Sequence, residues 1–240
     1  MIEITLIPLL KDNYAYLLVD EDGSVAILDP SEAAPVKHLL EDKELKPDTI
    51  INTHHHWDHT GGNQALKKAY GCRIAAPAAD SCRIEDLDIP LKEGDLLKIG
   101  TSTAQILETP GHTSDHICLY FPQEKALFCG DTLFAMGCGR LFEGTAGQMW
   151  KSLNKIMALP DDTLIYCGHE YTQANGEFCL TIEPDNTALK ERMISVYQTR
   201  AENKATIPSI LGLEKQTNVF LRAGSVQRFA EIRHLKDQSR

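Results

Sequence analysis

The sequence predicts an α+β chain in which two β-rich halves, each followed by a helix, lead into a helical C-terminal segment. Three observations carry that expectation. Residues 2–30 alternate apolar and polar in short runs broken by Lys11-Asp12-Asn13 and Glu21-Asp22-Gly23, the pattern of an antiparallel meander. A second run of short strands, 73–125, is punctuated by Pro77, Pro90, Gly94, Gly100, Pro110 and Pro122. Beyond residue 169 the apolar spacing becomes helical.

In order along the chain, Pro35, Val36, Leu39 and Leu40 share one face of a helix after the meander. Residues 49–52 then read as a buried strand entering a histidine-rich loop, and 62–70 as a helix. The second β half is followed by helical spacing at Met149, Leu153, Ile156 and Met157 and by a strand over 163–167. Helices over 172–181 and 186–203, an irregular 208–214 and a last helix over 226–235 complete the chain. Two β-plus-helix halves suit two sheets sandwiched between helices. The expected division is a mixed β and helical domain over 1–170 and an α-helical domain over 171–240.

At 240 residues and 42% hydrophobic, the chain is long enough to bury a full core. Its apolar runs, such as 14–19 and 25–28, fall far short of the roughly 18 residues that span a bilayer, and Met1 opens into strand-like sequence rather than a signal peptide. The expectation is a cytoplasmic monomer without membrane attachment. A formal charge of −10 argues against a nucleic-acid partner, since phosphate neutralisation needs clustered Lys and Arg. Seven cysteines with no C-x-x-C pair read as idle thiols in a reducing compartment.

The chemistry concentrates in Thr53-His54-His55-His56-Trp57-Asp58-His59, which directly follows an apolar strand. Three further candidates each follow a strand: His112 after Thr109-Pro110-Gly111, Asp131 after Cys129-Gly130, and His169 after Cys167-Gly168. Imidazole and carboxylate without thiolate suit Zn, Fe or Mn at an open site rather than a closed structural one. His38, His116 and His234 stand alone and are set aside, because a lone histidine is ordinarily a surface or hydrogen-bonded residue.

The pattern H-x-H-x-D-H with separate H, D and H positions resembles the metallo-β-lactamase superfamily along the whole chain. The resemblance implies that family's αββα sandwich, here with a C-terminal helical domain. It also implies two divalent metal ions, zinc first and iron or manganese compatible. His54, His56 and His112 would hold one ion and Asp58, His59 and His169 the other, with Asp131 bridging and His55 facing away. Two such cations lower the pKa of a shared water from about 15.7 toward about 7, and one polarises the acyl carbonyl. Asp58 and Asp131 are thus also the expected catalytic carboxylates, Asp58 by orienting the nucleophile.

Residues outside the metal set point to a substrate. The segments 137–145, 167–172 and 218–222 and the closing Arg233-His234-Leu235-Lys236-Asp237 are similar to glyoxalase II, particularly its bacterial form. That resemblance implies hydrolysis of the thioester S-D-lactoylglutathione to D-lactate and glutathione. Arg140 and Tyr171 would bind the glutathione backbone, and Arg233 and Lys236 its glycyl carboxylate. From Leu213 onward Lys215, Arg222, Arg228, Arg233, Lys236 and Arg240 face only Glu214, Glu231 and Asp237, so an acidic chain ends in a basic segment. Charge-assisted hydrogen bonds to a carboxylate are worth about 1.5–3 kcal/mol each. A thiol leaving group with a pKa near 8.5 can depart as thiolate, so the absence of an obvious general acid favours a thioester over an amide.

Three positions depart from the family pattern. Arg140 and Phe142 stand where some members carry lysine and tyrosine, and Asp115 stands where glycine is usual. Among alternatives, an acyl-homoserine lactonase shares the metal set but has no use for a basic carboxylate clamp. A persulfide dioxygenase uses a single iron, and an exported β-lactamase usually has cysteine at the position of Asp131.

Overall fold

The computed structural model describes residues 1–239, and Arg240 of the basic segment lies outside the described residues. The chain divides into two compact units, 1–108 with 115–126, and 109–114 with 127–240.

In the first unit, β1 (Ile2–Leu9), β2 (Asn13–Asp20) and β3 (Val25–Leu28) form the expected antiparallel meander. Helix α1 (Ala33–Asp42) crosses to β4 (Thr49–Ile51), which pairs parallel with β3. The short α2 (Trp57–Thr60) and α3 (Asn63–Tyr70) make the next crossover to β5 (Arg73–Pro77), and β6 (Ile89–Leu91) closes a sheet of order β1-β2-β3-β4-β5-β6. Parallel neighbours require such crossovers because a tight turn can only reverse the chain. Register places Ile27 opposite Ile50 and Ile50 opposite Ile74, one apolar row across three strands. That row packs with Val36, Leu40 and Leu66 from α1 and α3 in a buried cluster. Each such side chain contributes about 1.5–3 kcal/mol by leaving water. This row fixes the C-terminal end of β4, from which the histidine loop departs. The unit also contains the antiparallel β7 (Leu96–Ile99), β8 (Ser102–Glu108) and β9 (Ile117–Phe121).

The second unit contains β10 (Ala126–Gly130) from its second residue onward and a two-stranded hairpin of β11 (Leu133–Phe134) and β12 (Gly137–Cys138). Helix α4 (Ala146–Met157) starts from a capping box in which Thr145 and Gln148 satisfy each other's backbone N–H. Then come β13 (Leu164–Cys167), α5 (Thr172–Ile182) and α6 (Thr187–Ala201). The segment 208–214, expected to be irregular, instead forms β14 (Ser209–Ile210), antiparallel to β13, and the start of α7 (Leu211–Thr217). Ile210 supplies no side-chain cap to announce that helix. Its positioning comes from burial of Leu211 and of Glu214, which is paired with Arg192 of α6. Helix α8 (Val226–Gln238), capped by Ser225, ends the chain.

Candidate metal centre

Every ligand candidate leaves the C-terminal end of a strand, where backbone ladders stop and loop side chains are free to turn inward. His54 follows β4, His112 follows β8, Asp131 follows β10 and His169 follows β13. His56 caps α2, so Asp58 and His59 fall in its single turn, and Thr60 Oγ1 donates to the His56 carbonyl at 3.1 Å.

In the first unit, Nε2 of His54 lies 3.1 Å from Nδ1 of His56, and Nε2 of His59 lies 3.8 Å from Asp58 Oδ2. His54 and His59 are buried. In the second unit, Asp131 Oδ2 lies 3.5 Å from His112 Nε2 and 3.3 Å from His169 Nε2. Candidate ligands thus gather in two groups, His54, His56, Asp58 and His59 in the first unit and His112, Asp131 and His169 in the second. Among the described residues His55 belongs to none of these groups, and its Nδ1 is 3.4 Å from the buried Asp80.

The donors fit divalent cations. All are imidazole or carboxylate, the borderline-to-hard set that zinc, iron and manganese accept. The neighbouring thiols do not compete, since burial pushes Cys138 up to about 11 and Cys167 up to about 12. They therefore remain protonated at neutral pH and are poor ligands.

A surrounding layer orients these rings. Nδ1 of His112 is 2.9 Å from the Arg140 carbonyl, and Nδ1 of His59 is 3.1 Å from Asp29 Oδ2, which turns Nε2 of each toward Asp131 and Asp58 respectively. The backbone N–H and hydroxyl of Thr53 donate to the same Asp29 carboxylate, which ties the histidine loop to the end of β3. Asn13 Nδ2 donates to Asp58 at its carbonyl and at Oδ2, and Ser31 Oγ donates to the same carbonyl. Sequence reasoning missed Asp29, Asn13 and Ser31. The one available signal was a carboxylate directly after the apolar Val25–Leu28, and Asp29 has a left-handed φ of 51°. His116, set aside as a lone histidine, is fully buried with its ring stacked on His54 at 4.8 Å. Gly139 is there because nothing larger fits. A Cβ at this position would lie 2.0 Å from the Asp131 carbonyl and 3.1 Å from the His112 ring.

The expected substrate residues of the second unit differ in exposure. Arg140 is 65% exposed, and Tyr171 stacks on the His169 ring at 4.7 Å with an interplanar angle of 4°. Arg233 is buried; its Nη1 donates to the Cys138 carbonyl at 2.9 Å and its guanidinium lies over Phe220. Lys236 donates to the Ala174 carbonyl at 3.0 Å, and burial lowers the pKa of its ammonium. Other members of the basic segment are held in ion pairs, Lys215 with Asp161, Arg222 with Glu183 and Arg228 with Glu231. The departure at Asp115 has a local partner, an ion pair with Arg83, which also pairs with Asp80. Phe142 is exposed, its ring 5.2 Å from that of His112.

Comparison with known proteins supplies the context. Residues 10–169 match the family described as metallo-beta-lactamase superfamily, and residues 170–239 match hydroxyacylglutathione hydrolase C-terminus. The hydroxyacylglutathione hydrolase of Methylococcus capsulatus is 49% identical over 99% of this chain and 98% of its own. That of Rhodopseudomonas palustris is 52% identical over 92% of this chain and 87% of its own. Among solved structures, ETHE1 from Myxococcus xanthus is 24% identical and superposes with a TM-score of 0.76, covering 100% of this chain and 92% of that one. The BLEG-1 B3 metallo-beta-lactamase is 25% identical with a TM-score of 0.72, covering 91% and 99%. TTHA1623, solved in a di-iron-bound form, is 25% identical with a TM-score of 0.65, covering 91% and 100%. The fold is thus the one expected from the sequence. No helix among the described residues is long and apolar enough to cross a membrane.

Proposed function

Because the chain belongs to the metallo-β-lactamase superfamily and, within it, to the hydroxyacylglutathione hydrolases, we infer that it is a glyoxalase II, a thioester hydrolase converting S-D-lactoylglutathione to D-lactate and glutathione. The observation that carries this reading is one chain joining a His/Asp donor set to a C-terminal segment matching the hydroxyacylglutathione hydrolases.

The chain carries a donor set for divalent metal ions. We assign His54, His56 and His112 to one ion, Asp58, His59 and His169 to the other, and Asp131 to both, with zinc as the metal and iron or manganese compatible. A bound ion pair of this kind lowers the pKa of water from about 15.7 toward about 7 and polarises the acyl carbonyl. Asp58, steadied by Asn13, orients the attacking water through a carboxylate oxygen. Tyr171 and Arg140 hold the glutathione backbone, while Lys236 and Arg233 attract its glycyl carboxylate. No protein acid is needed, because a thiol of pKa near 8.5 leaves as thiolate. We assign 1–170 to metal binding and 171–240 to substrate binding, which the family matches meeting at 169 and 170 support. A cytoplasmic monomer completes the reading.

The test is hydrolysis of S-D-lactoylglutathione beside an acyl-homoserine lactone and a β-lactam, with metal content measured on the same sample. Selective turnover of the glutathione thioester by protein holding about two ions is expected. Preference for either other substrate overturns the reading.

A further inference from the structure

A carboxylate of the chain itself sits among the basic residues assigned to the substrate. Both Nε and Nη2 of Arg233 donate to Asp237 Oδ1, at 3.1 and 2.8 Å, and Nε of Arg140 lies 4.0 Å from the same oxygen. Lys236 is the adjacent residue of α8. Cations from two distant stretches of chain, the β12 exit and the last helix, thus surround one partly exposed carboxylate. An i,i+4 pair on a helix surface is ordinarily an isolated contact worth little. Here the Arg233 guanidinium is only 6% exposed, and a cation that deep needs a counter-charge whether or not a ligand is bound. Asp237, itself 41% exposed and near the end of α8, can supply that charge and still swing into solvent.

We propose that Asp237 is a place-holder carboxylate, neutralising Arg233 and Arg140 in the free protein and giving up its hydrogen bonds to the terminal carboxylate of the incoming thioester. The proposal rests on the glutathione reading above. Binding then exchanges one carboxylate for another, so affinity reflects the difference between the two. Asp237 becomes a specificity determinant: a thioester without a terminal carboxylate cannot complete the exchange, and the internal pair stays closed.

The test compares wild type, D237N and the charge-retaining D237E. The readouts are steady-state kinetics on S-D-lactoylglutathione, calorimetric titration with glutathione, and kinetics on the corresponding γ-glutamylcysteine thioester, which lacks the glycyl carboxylate. With the competitor removed, D237N is expected to lower KM for the full thioester and Kd for glutathione about fivefold, equivalent to about 1 kcal/mol. D237E stays near wild type, and the truncated thioester shows no gain. A KM and Kd that rise or hold in D237N overturn the place-holder, as does an equal gain on both thioesters. If wild type itself neither binds glutathione nor cleaves its thioester, the functional reading falls first, and the place-holder falls with it.

Discussion

The fully buried carboxylate of Glu214 in α7 accepts a hydrogen bond from the backbone N–H of Met136 at 2.8 Å, fixing the turn between β11 and β12. Met136 has a left-handed φ of 53°. Asn218 Nδ2 donates to the carbonyls of Phe134 and Gly137 on either side, and Arg192 pairs with Glu214 from α6. The hairpin leading to Gly139 and Arg140 is therefore held by polar groups more than seventy residues later, so the placement of Arg140 depends on C-terminal packing.

Arg192→Leu removes the counter-charge of Glu214 and leaves a carboxylate buried. Stability is expected to fall by about 3–5 kcal/mol. Chemical denaturation measures it, and a loss below about 1 kcal/mol is incompatible with the buried pair.

His56→Ala and Asp131→Ala are each expected to lose metal and activity together, and full activity in either removes that assignment. Asp29→Ala acts one layer further out, by releasing the His59 ring. Metal affinity should weaken about 10- to 100-fold with the fold intact, as read by competition with a chelator.

Gly139→Ala introduces a methyl group against the Asp131 carbonyl and the His112 ring. Activity and metal content should drop together while circular dichroism stays native-like. Wild-type metal binding contradicts the close approach.

Lys236→Ala is expected to raise KM for the glutathione thioester with little change in kcat, because the glycyl carboxylate it is assigned to is remote from the thioester carbonyl. Burial holds its pKa below the ordinary lysine value, so wild-type KM should climb at alkaline pH before an exposed lysine titrates. Arg233→Ala should raise KM too, but it also loses the contacts to Phe220 and Cys138 and so lowers Tm.

Asp20 sets an acid limit on stability. Burial alone would raise its pKa, but donors from Ser102, Thr101 and the Asp22 N–H outweigh burial and hold the carboxyl well below the usual range. A depressed folded-state pKa stabilises fully above the unfolded value of about 3.9 and is lost as pH falls below it. Asp20→Asn should therefore cost more stability at pH 7 than at pH 3 in urea unfolding. An equal cost at both pH values refutes the linkage.

Local pattern determined the elements and the candidate site residues. Alternation and turn residues marked the β1–β3 meander, helical spacing marked α1, α3, α4, α5, α6 and α8, and histidines clustered after an apolar strand marked candidate ligands, because each of these signals lies within a few residues of chain. Only the tertiary structure decided what comes from far away. It brought Asp29 to His59 across 30 positions, stacked His116 on His54, turned 211–217 into a helix around the Arg192–Glu214 pair, and buried Arg233 against Asp237 and Cys138. A buried polar group takes whichever partner packing delivers, and sequence spacing carries no record of that choice.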